Sequence, residues 1–280
     1  MSHDHDRGLA HDLTVLADFA ARRRALLKWG LGLGALPLLA CAGSSVSADG
    51  STTTDGAAGD GSASTSTTVS DGSCSTIPQE TAGPYPGDGT NGKNALTLSG
   101  IVRSDITSSI AGATGHAEGV ALTVTITVLD GQNGCKPLAG QAVYIWHCDR
   151  DGNYSMYSAA AASENYLRGV QETDENGQVT FTTIFPGCYS GRWPHIHFEV
   201  YPSLAVASSG QNTIATSQLA MPEDSCHAAY AADGYSASVQ NLANITLDTD
   251  NVFSDGVELQ TPTMSGSVSS GFEAALSVTV

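Results

Sequence analysis

The sequence predicts an all-β protein: an antiparallel β-sandwich over residues 74–280, preceded by a signal segment and a disordered linker. Three observations predict it. Short runs rich in Val, Ile, Thr and aromatic residues recur at the spacing two packed sheets require. Residues that reverse a chain separate them: Asp130-Gly131, Asn133-Gly134, Asp151-Gly152-Asn153, Glu175-Asn176-Gly177 and Pro186-Gly187. Helical periodicity is weak, and only 223–232 offers a short helical stretch.

Residues 1–41 read as targeting information. Arg22-Arg23-Arg24-Ala25-Leu26-Leu27-Lys28 precede an uncharged apolar run from Trp29 to Ala40. A basic region, a short apolar core and small residues describe an export signal, and the run falls short of the roughly 20 residues a membrane span needs. Arginines followed by Leu-Leu-Lys resemble the twin-arginine signal, which exports folded proteins. Leu38-Leu39-Ala40-Cys41 resembles a lipobox and makes Cys41 the expected lipid acceptor and membrane tether. Leu39 departs from the small residue usual there; ordinary cleavage nearby would instead release the protein. Either route predicts export, to the periplasm or outside the cell. Residues 42–73 contain only Ala, Gly, Ser, Thr, Asp and Val. Such a segment buries too little apolar surface to offset chain entropy, so it is expected to be a flexible linker.

Charge and cysteines narrow the class further. The chain has 28 acidic and 11 basic residues, and residues 42–280 retain 24 and 6 of them. That acidity excludes nucleic acid and other polyanions as partners. Five cysteines follow Cys41, namely Cys74, Cys135, Cys148, Cys188 and Cys226. An exported compartment permits disulfides, and an odd number leaves at least one cysteine without a partner in the chain. No Cys-x-x-Cys spacing suggests a thiolate zinc site.

Within the folded part, strands are expected at 95–102, 119–129, 141–148, 178–185, 195–201 and 213–220, with weaker patterns at 243–248, 257–266 and 271–280. From Thr123 to Val128, Thr alternates with Val and Ile, as a half-exposed strand should. In 195–201, His195 and His197 share one face, while Ile196, Phe198 and Val200 face a core. Two imidazoles on one strand face make a pair of metal ligands. Such a pair also suits zinc or cupin-type sites, but a cupin glutamate lies several residues beyond the second histidine, and Glu199 follows by two.

Five runs stand in order: Val143-Tyr144-Ile145-Trp146-His147, Gly152-Asn153-Tyr154, Thr173-Asp174-Glu175-Asn176-Gly177, Phe185-Pro186-Gly187-Cys188-Tyr189 and Gly191-Arg192-Trp193-Pro194-His195-Ile196-His197. Glu80-Thr81-Ala82-Gly83-Pro84-Tyr85 precedes them. Together they resemble the intradiol ring-cleavage dioxygenases of the catechol and protocatechuate type, and most closely their secreted, compact branch. The resemblance implies a non-haem Fe(III) site with Tyr154, Tyr189, His195 and His197 as ligands. Tyr189 and His197 would be axial, and Tyr154 and His195 equatorial with a hydroxide. Phenolates suit Fe(III), a hard acid, and two phenolates with a hydroxide balance its charge in a low-dielectric pocket.

The resemblance further implies cleavage of a catechol-type ring by O2 to a muconate-type diacid. Tyr189 would leave the metal with a substrate proton, Arg192 would stabilise charge on the ring, Gln218 would partner Arg192, and Tyr85 would line the pocket. The partners implied are a small aromatic diol and O2. The helical dimerisation segment of the catechol-specific branch is not evident, so a monomer or small homo-oligomer is expected. The alternatives are a β-sandwich binding module, or a surface lipoprotein, that keeps a metal pocket without turnover. His147 is expected to brace its strand end, Arg168 and Asp174 to hold a turn, and 204–212 to be a loop insertion. Arg103 and Arg150 are candidate anchors for a carboxylated substrate, and His116 and His227 receive no role.

Overall fold

Apolar residues alternate with threonines along β1, Ala121–Asp130, and that alternation sets how the strand lies. Leu122, Val124, Ile126 and Val128 are buried, and Thr123, Thr125 and Thr127 stay partly exposed. In this computed structural model, which describes residues 74–280, β1 centres a five-stranded sheet. It pairs antiparallel with β5, Gln178–Ile184, and with the short β2, Lys136–Pro137. On its other side it pairs parallel with β9, Gly271–Thr279, which carries β8, Thr263–Ser267, at the edge.

The second sheet has the order β4, Arg168–Glu172; β3, Ala142–Trp146; β6, His195–Tyr201; β7, Ala215–Ala220, all antiparallel. Val143, Ile145, Ile196, Phe198 and Val200 pack against Val124, Ile126, Phe181, Phe272 and Leu276 to form the core between the sheets. On the opposite face of β3 and β6, Tyr144, Trp146 and Tyr201 pack with Leu96, Ile101 and Tyr154. Every residue of β3 and β6 is therefore buried. Segments before β1 and between β3 and β4 cover this second face, and the candidate site lies beneath them.

A β-rich two-sheet fold matches the expectation, with the difference that the β1–β9 pairing makes the first sheet mixed rather than purely antiparallel. Residues 95–102 form turns, with one isolated bridge from Val102 to Val170; the apolar signal came from Ala95, Leu96 and Ile101, which are buried without a ladder. Residues 243–248 form no strand, and in 257–266 the strand starts only at Thr263. β4 was not anticipated. The stretch 223–232 contains α1, Glu223–Tyr230, whose first turn holds Glu223 and Asp224 where the helix dipole favours them. A second helix follows, α2, Ser236–Leu242. The 204–212 loop forms two 3-10 turns, Leu204–Val206 and Gly210–Asn212.

Cys74 and Cys135 form a disulfide, whereas Cys148, Cys188 and Cys226 are buried thiols. No described helix is long and apolar enough to cross a membrane. The signal segment 1–41, Cys41 and the linker 42–73 lie outside the described residues.

Candidate metal centre and active site

The pleat of β6 sends His195 and His197 to the second face, where their Nε2 atoms stand 3.1 Å apart. Tyr154, in the loop after β3, brings its Oη to 3.3 Å from His195 Nε2. Tyr189, in the loop before β6, brings its Oη to 3.5 Å from the same nitrogen. The structure thus gathers all four expected donors. Donors bound roughly 2 Å from one cation stand roughly 3.0–3.4 Å apart, so these spacings fit a shared ion. Among the described residues, no group of three or more His, Cys, Asp or Glu side chains is arranged to hold a cation. Here half of the donors are phenols.

Burial leaves all four donors uncharged unless a cation is bound beside them. Burial, and then the Arg192 charge, pushes His195 down to about 3, and burial and His195 push His197 well below its ordinary value. Both rings are therefore neutral donors at neutral pH. His195 Nδ1 faces the Trp193 carbonyl oxygen at 2.5 Å, so it carries the proton and leaves Nε2 its lone pair. Burial pushes the phenols of Tyr154 and Tyr189 above their ordinary range. They become phenolates only if a nearby cation offsets that cost. The two differ in access: Tyr154 is 2 % exposed, and Tyr189 is only partly buried.

Two glycines make the approach possible. Gly83 has φ +69°, and a Cβ there would lie 3.4 Å from His197 Cε1. Gly152 has φ +86°, and a Cβ there would lie 3.0 Å from Tyr189 Cβ. Both conformations favour glycine over any L side chain.

Arg192 stands beside the donors and is 7 % exposed. Its Nη2 donates to Gln218 Oε1 at 2.7 Å, and Gln218 Nε2 donates to the Thr81 carbonyl at 2.9 Å. The expected partnership is therefore formed. Tyr85 stacks at a tilt on Tyr154, centroids 5.0 Å apart, and Tyr157 follows at 5.2 Å, which makes an aromatic wall. His147 lies between the Cys148 carbonyl, 2.8 Å from Nδ1, and Thr183 Oγ1, 2.7 Å from Nε2, which is a bracing role. Asp174 accepts from Asn176 N and Gln178 N and holds its turn.

Arg168 does not hold a turn. It lies fully buried in β4 and donates to the carbonyls of Tyr85, Pro86 and Ser155 and to the hydroxyls of Tyr144 and Ser155. It joins the Tyr85 segment to the Tyr154 loop. Arg103 and Arg150 are engaged elsewhere: Arg103 donates to the Arg168 carbonyl, and Arg150 pairs with Glu118. His116 and His227 are exposed, beside Ser108 and Glu223. Sequence reasoning passed over Asp250, which binds Arg192 Nε at 2.9 Å, and Trp146, which stacks on His197. The strand pattern could have indicated Trp146, since it shares a face with Tyr144. Asp250 sits in an irregular segment with no pattern to mark it.

A family model described as Dioxygenase, Dioxygenase_C, matches residues 103–242, half of the chain. The intradiol ring-cleavage dioxygenase from Tetranychus urticae has a solved structure similar to this one, with TM-score 0.56 and 27 % identity, covering 74 % of this chain and 94 % of that one. Catechol 1,2-dioxygenase 1 of Acinetobacter lwoffii is 32 % identical over 95 residues, 27 % of this chain and 29 % of that protein. Chlorocatechol 1,2-dioxygenase of Rhodococcus opacus is 38 % identical over 53 residues, 19 % of this chain and 21 % of that protein. The chain thus spans less than a third of the length of these curated relatives. It belongs to the intradiol ring-cleavage dioxygenase family.

Proposed function

We propose that the chain is a non-haem Fe(III) dioxygenase that opens the ring of a catechol-type substrate between its two hydroxyls, using O2, and yields a muconate-type diacid. The observation that carries this reading is the convergence of Tyr154, Tyr189 and His197 on His195 Nε2, within 3.5 Å. Ferric iron held by these four would supply a Lewis acid that binds the diol through both oxygens and makes the ring reactive toward O2.

The chain's own groups account for the remaining work. The two imidazoles contribute Nε2 lone pairs without adding charge. Tyr189, the more accessible phenol, takes one substrate proton at Oη as the diol arrives. Tyr154 stays buried and keeps the site's negative charge. Arg192, held by Gln218, directs a fixed positive charge at the electron-rich ring. Tyr85 offers a face for the ring to pack on. Burial of the set keeps bulk water away from the reacting diol.

Export is part of the proposal, with Cys41 as a lipid tether. The Cys74–Cys135 disulfide supports an oxidising compartment. The test is direct. The purified chain should contain iron, absorb visible light through tyrosinate, and consume O2 with members of a catechol panel, with products gaining the mass of two oxygen atoms. A colourless zinc protein that leaves every catechol intact would overturn the reading and favour a binding module or surface lipoprotein.

A further inference from the structure

Asp250 lies eight residues beyond the family match and is completely buried. Its Oδ2 accepts from Arg192 Nε at 2.9 Å and from Trp193 N at 2.7 Å. Its Oδ1 accepts from Val252 N at 2.8 Å and Phe253 N at 3.1 Å. Four donors from two segments hold both oxygens, so the carboxylate cannot turn. Burial opposes its charge, but Arg192 and these N–H groups outweigh that and keep the carboxyl below its ordinary range.

We propose that Asp250 is a positioning residue for the ring-opening reaction, directing the Arg192 guanidinium. The inference rests on the reading of the site given above. Two connected contacts carry it. Asp250 and Gln218 take the Nε and Nη2 edges of Arg192, so the guanidinium plane is fixed from two sides. Asp250 also fixes the Trp193 N–H, and the Trp193 carbonyl takes the His195 Nδ1 proton. One carboxylate therefore sets the direction of the cation from the side opposite Gln218. Trp193 is itself pinned, since its Nε1 donates to the Met221 carbonyl at 2.8 Å. Arg192 also passes over the Phe253 ring, 5.7 Å from its centroid, and Asp250 caps the turn that presents that ring.

A charge that builds on the substrate only during reaction is stabilised by a group already aimed at it, and a misplacement of about 1 Å can cost on the order of 100-fold in rate. Loss of aim should therefore slow ring opening more than it weakens binding. A purely structural Asp250 would lower thermal stability and leave this kinetic split unmoved.

The test uses the full chain loaded with iron. Iron content, the tyrosinate band, anaerobic catechol titration through that band, and single-turnover ring opening on adding O2 are measured for the wild type, Asp250→Asn, Asp250→Glu, Arg192→Gln and the Asp250→Asn/Arg192→Gln pair. Asp250→Asn is expected to keep the tyrosinate band, keep catechol affinity within about threefold and slow ring opening at least tenfold. Asp250→Glu should be intermediate. With Arg192→Gln already present, Asp250→Asn should slow the reaction less than twofold further. A rate within twofold of wild type for Asp250→Asn, or an equal loss in both backgrounds, would overturn the proposal. Should Asp250→Asn lose iron or fail to fold, Asp250→Glu decides: full iron with an unchanged rate overturns it, and full iron with a rate at least threefold lower supports it. A wild type without iron or turnover sinks the reading of the site along with the inference, whereas an active wild type matched by Asp250→Asn sinks the inference alone.

Discussion

The imidazole of His197 lies flat on the indole of Trp146, with centroids 4.7 Å apart and planes 5° from parallel. His197 Nδ1 is buried and has no hydrogen-bond partner, unlike His195 Nδ1, which has the Trp193 carbonyl. Packing thus restrains the plane of the His197 ring, while a hydrogen bond restrains His195. Groups behind a metal ligand commonly govern affinity by 10- to 100-fold. Trp146→Leu should speed iron release to a chelator by about tenfold or more, and Trp146→Phe, which keeps a ring, by about threefold at most. Equal release rates for the wild type and Trp146→Leu would show that stacking does not orient the ring.

Tyr154 is the buried phenol and should be the permanent one. Tyr154→Phe removes an anionic donor that no neighbour replaces. The visible band should bleach or shift, and turnover should fall by about 100-fold or more. An absorbance spectrum of the iron-loaded variant is sufficient, and an unchanged band would remove Tyr154 from the donor set.

Gly83→Ala tests how close the Tyr85 segment can come to the site. The substitution forces an L side chain into φ +69° and puts a methyl 3.4 Å from His197 Cε1. It should cost about 1–2 kcal/mol of stability by urea denaturation and raise the KM for catechol. A neutral outcome on both would mean that the segment withdraws from His197 at little cost.

Three buried histidines set the acid limit of the iron-free protein. Burial pushes His147 down to about 4, His195 to about 3 and His197 well below its ordinary value. The unfolded chain protonates each near pH 6.5, so between about pH 6.5 and 4 it binds more protons than the folded chain. Stability is then full above pH 6.5 and falls with acid, by up to about 4 kcal/mol per pH unit for three protons. Glu199 acts oppositely: burial pushes it up to about 8, while Tyr201 donates to its Oε2 at 2.6 Å. Its contribution is present below its unfolded value and is lost as pH rises to about 8, by up to about 1.4 kcal/mol per unit. Urea midpoints from pH 4.5 to 8.5 should peak near pH 6.5, and Glu199→Gln should flatten the alkaline side.

What the sequence disclosed depended on whether an apolar pattern also carried a ladder. β1, β3, β5, β6 and β7 were legible from alternation or from continuous apolar runs. Residues 95–102 carried the same signal because Leu96 and Ile101 are buried, although the chain there turns. β4 was hidden because it opens with Arg168-Gly169, a pair that reads as a turn, and it is held by β3 instead. The parallel partnership of β1 and β9 joins segments about 150 residues apart, which no local pattern reports. Within the site, the two tyrosines, the two histidines and Arg192 stood in ordered motifs, and Gln218 was indicated only by the family resemblance. Asp250 was not, because an isolated acid in an irregular stretch looks like any exposed aspartate until the fold buries it against a guanidinium.

The disulfide between Cys74 and Cys135 fastens the start of the described chain beside the far end of β1. That strand has ten residues, roughly 33 Å at 3.3 Å each, and its opposite end leads toward Phe185 and the Tyr189 loop. A pull applied ahead of Cys74 would therefore enter the sheet through a covalent bolt at the pole remote from the four donors. The sheet would bear the tension along its hydrogen-bond ladders, and the end that carries the four donors would be left slack.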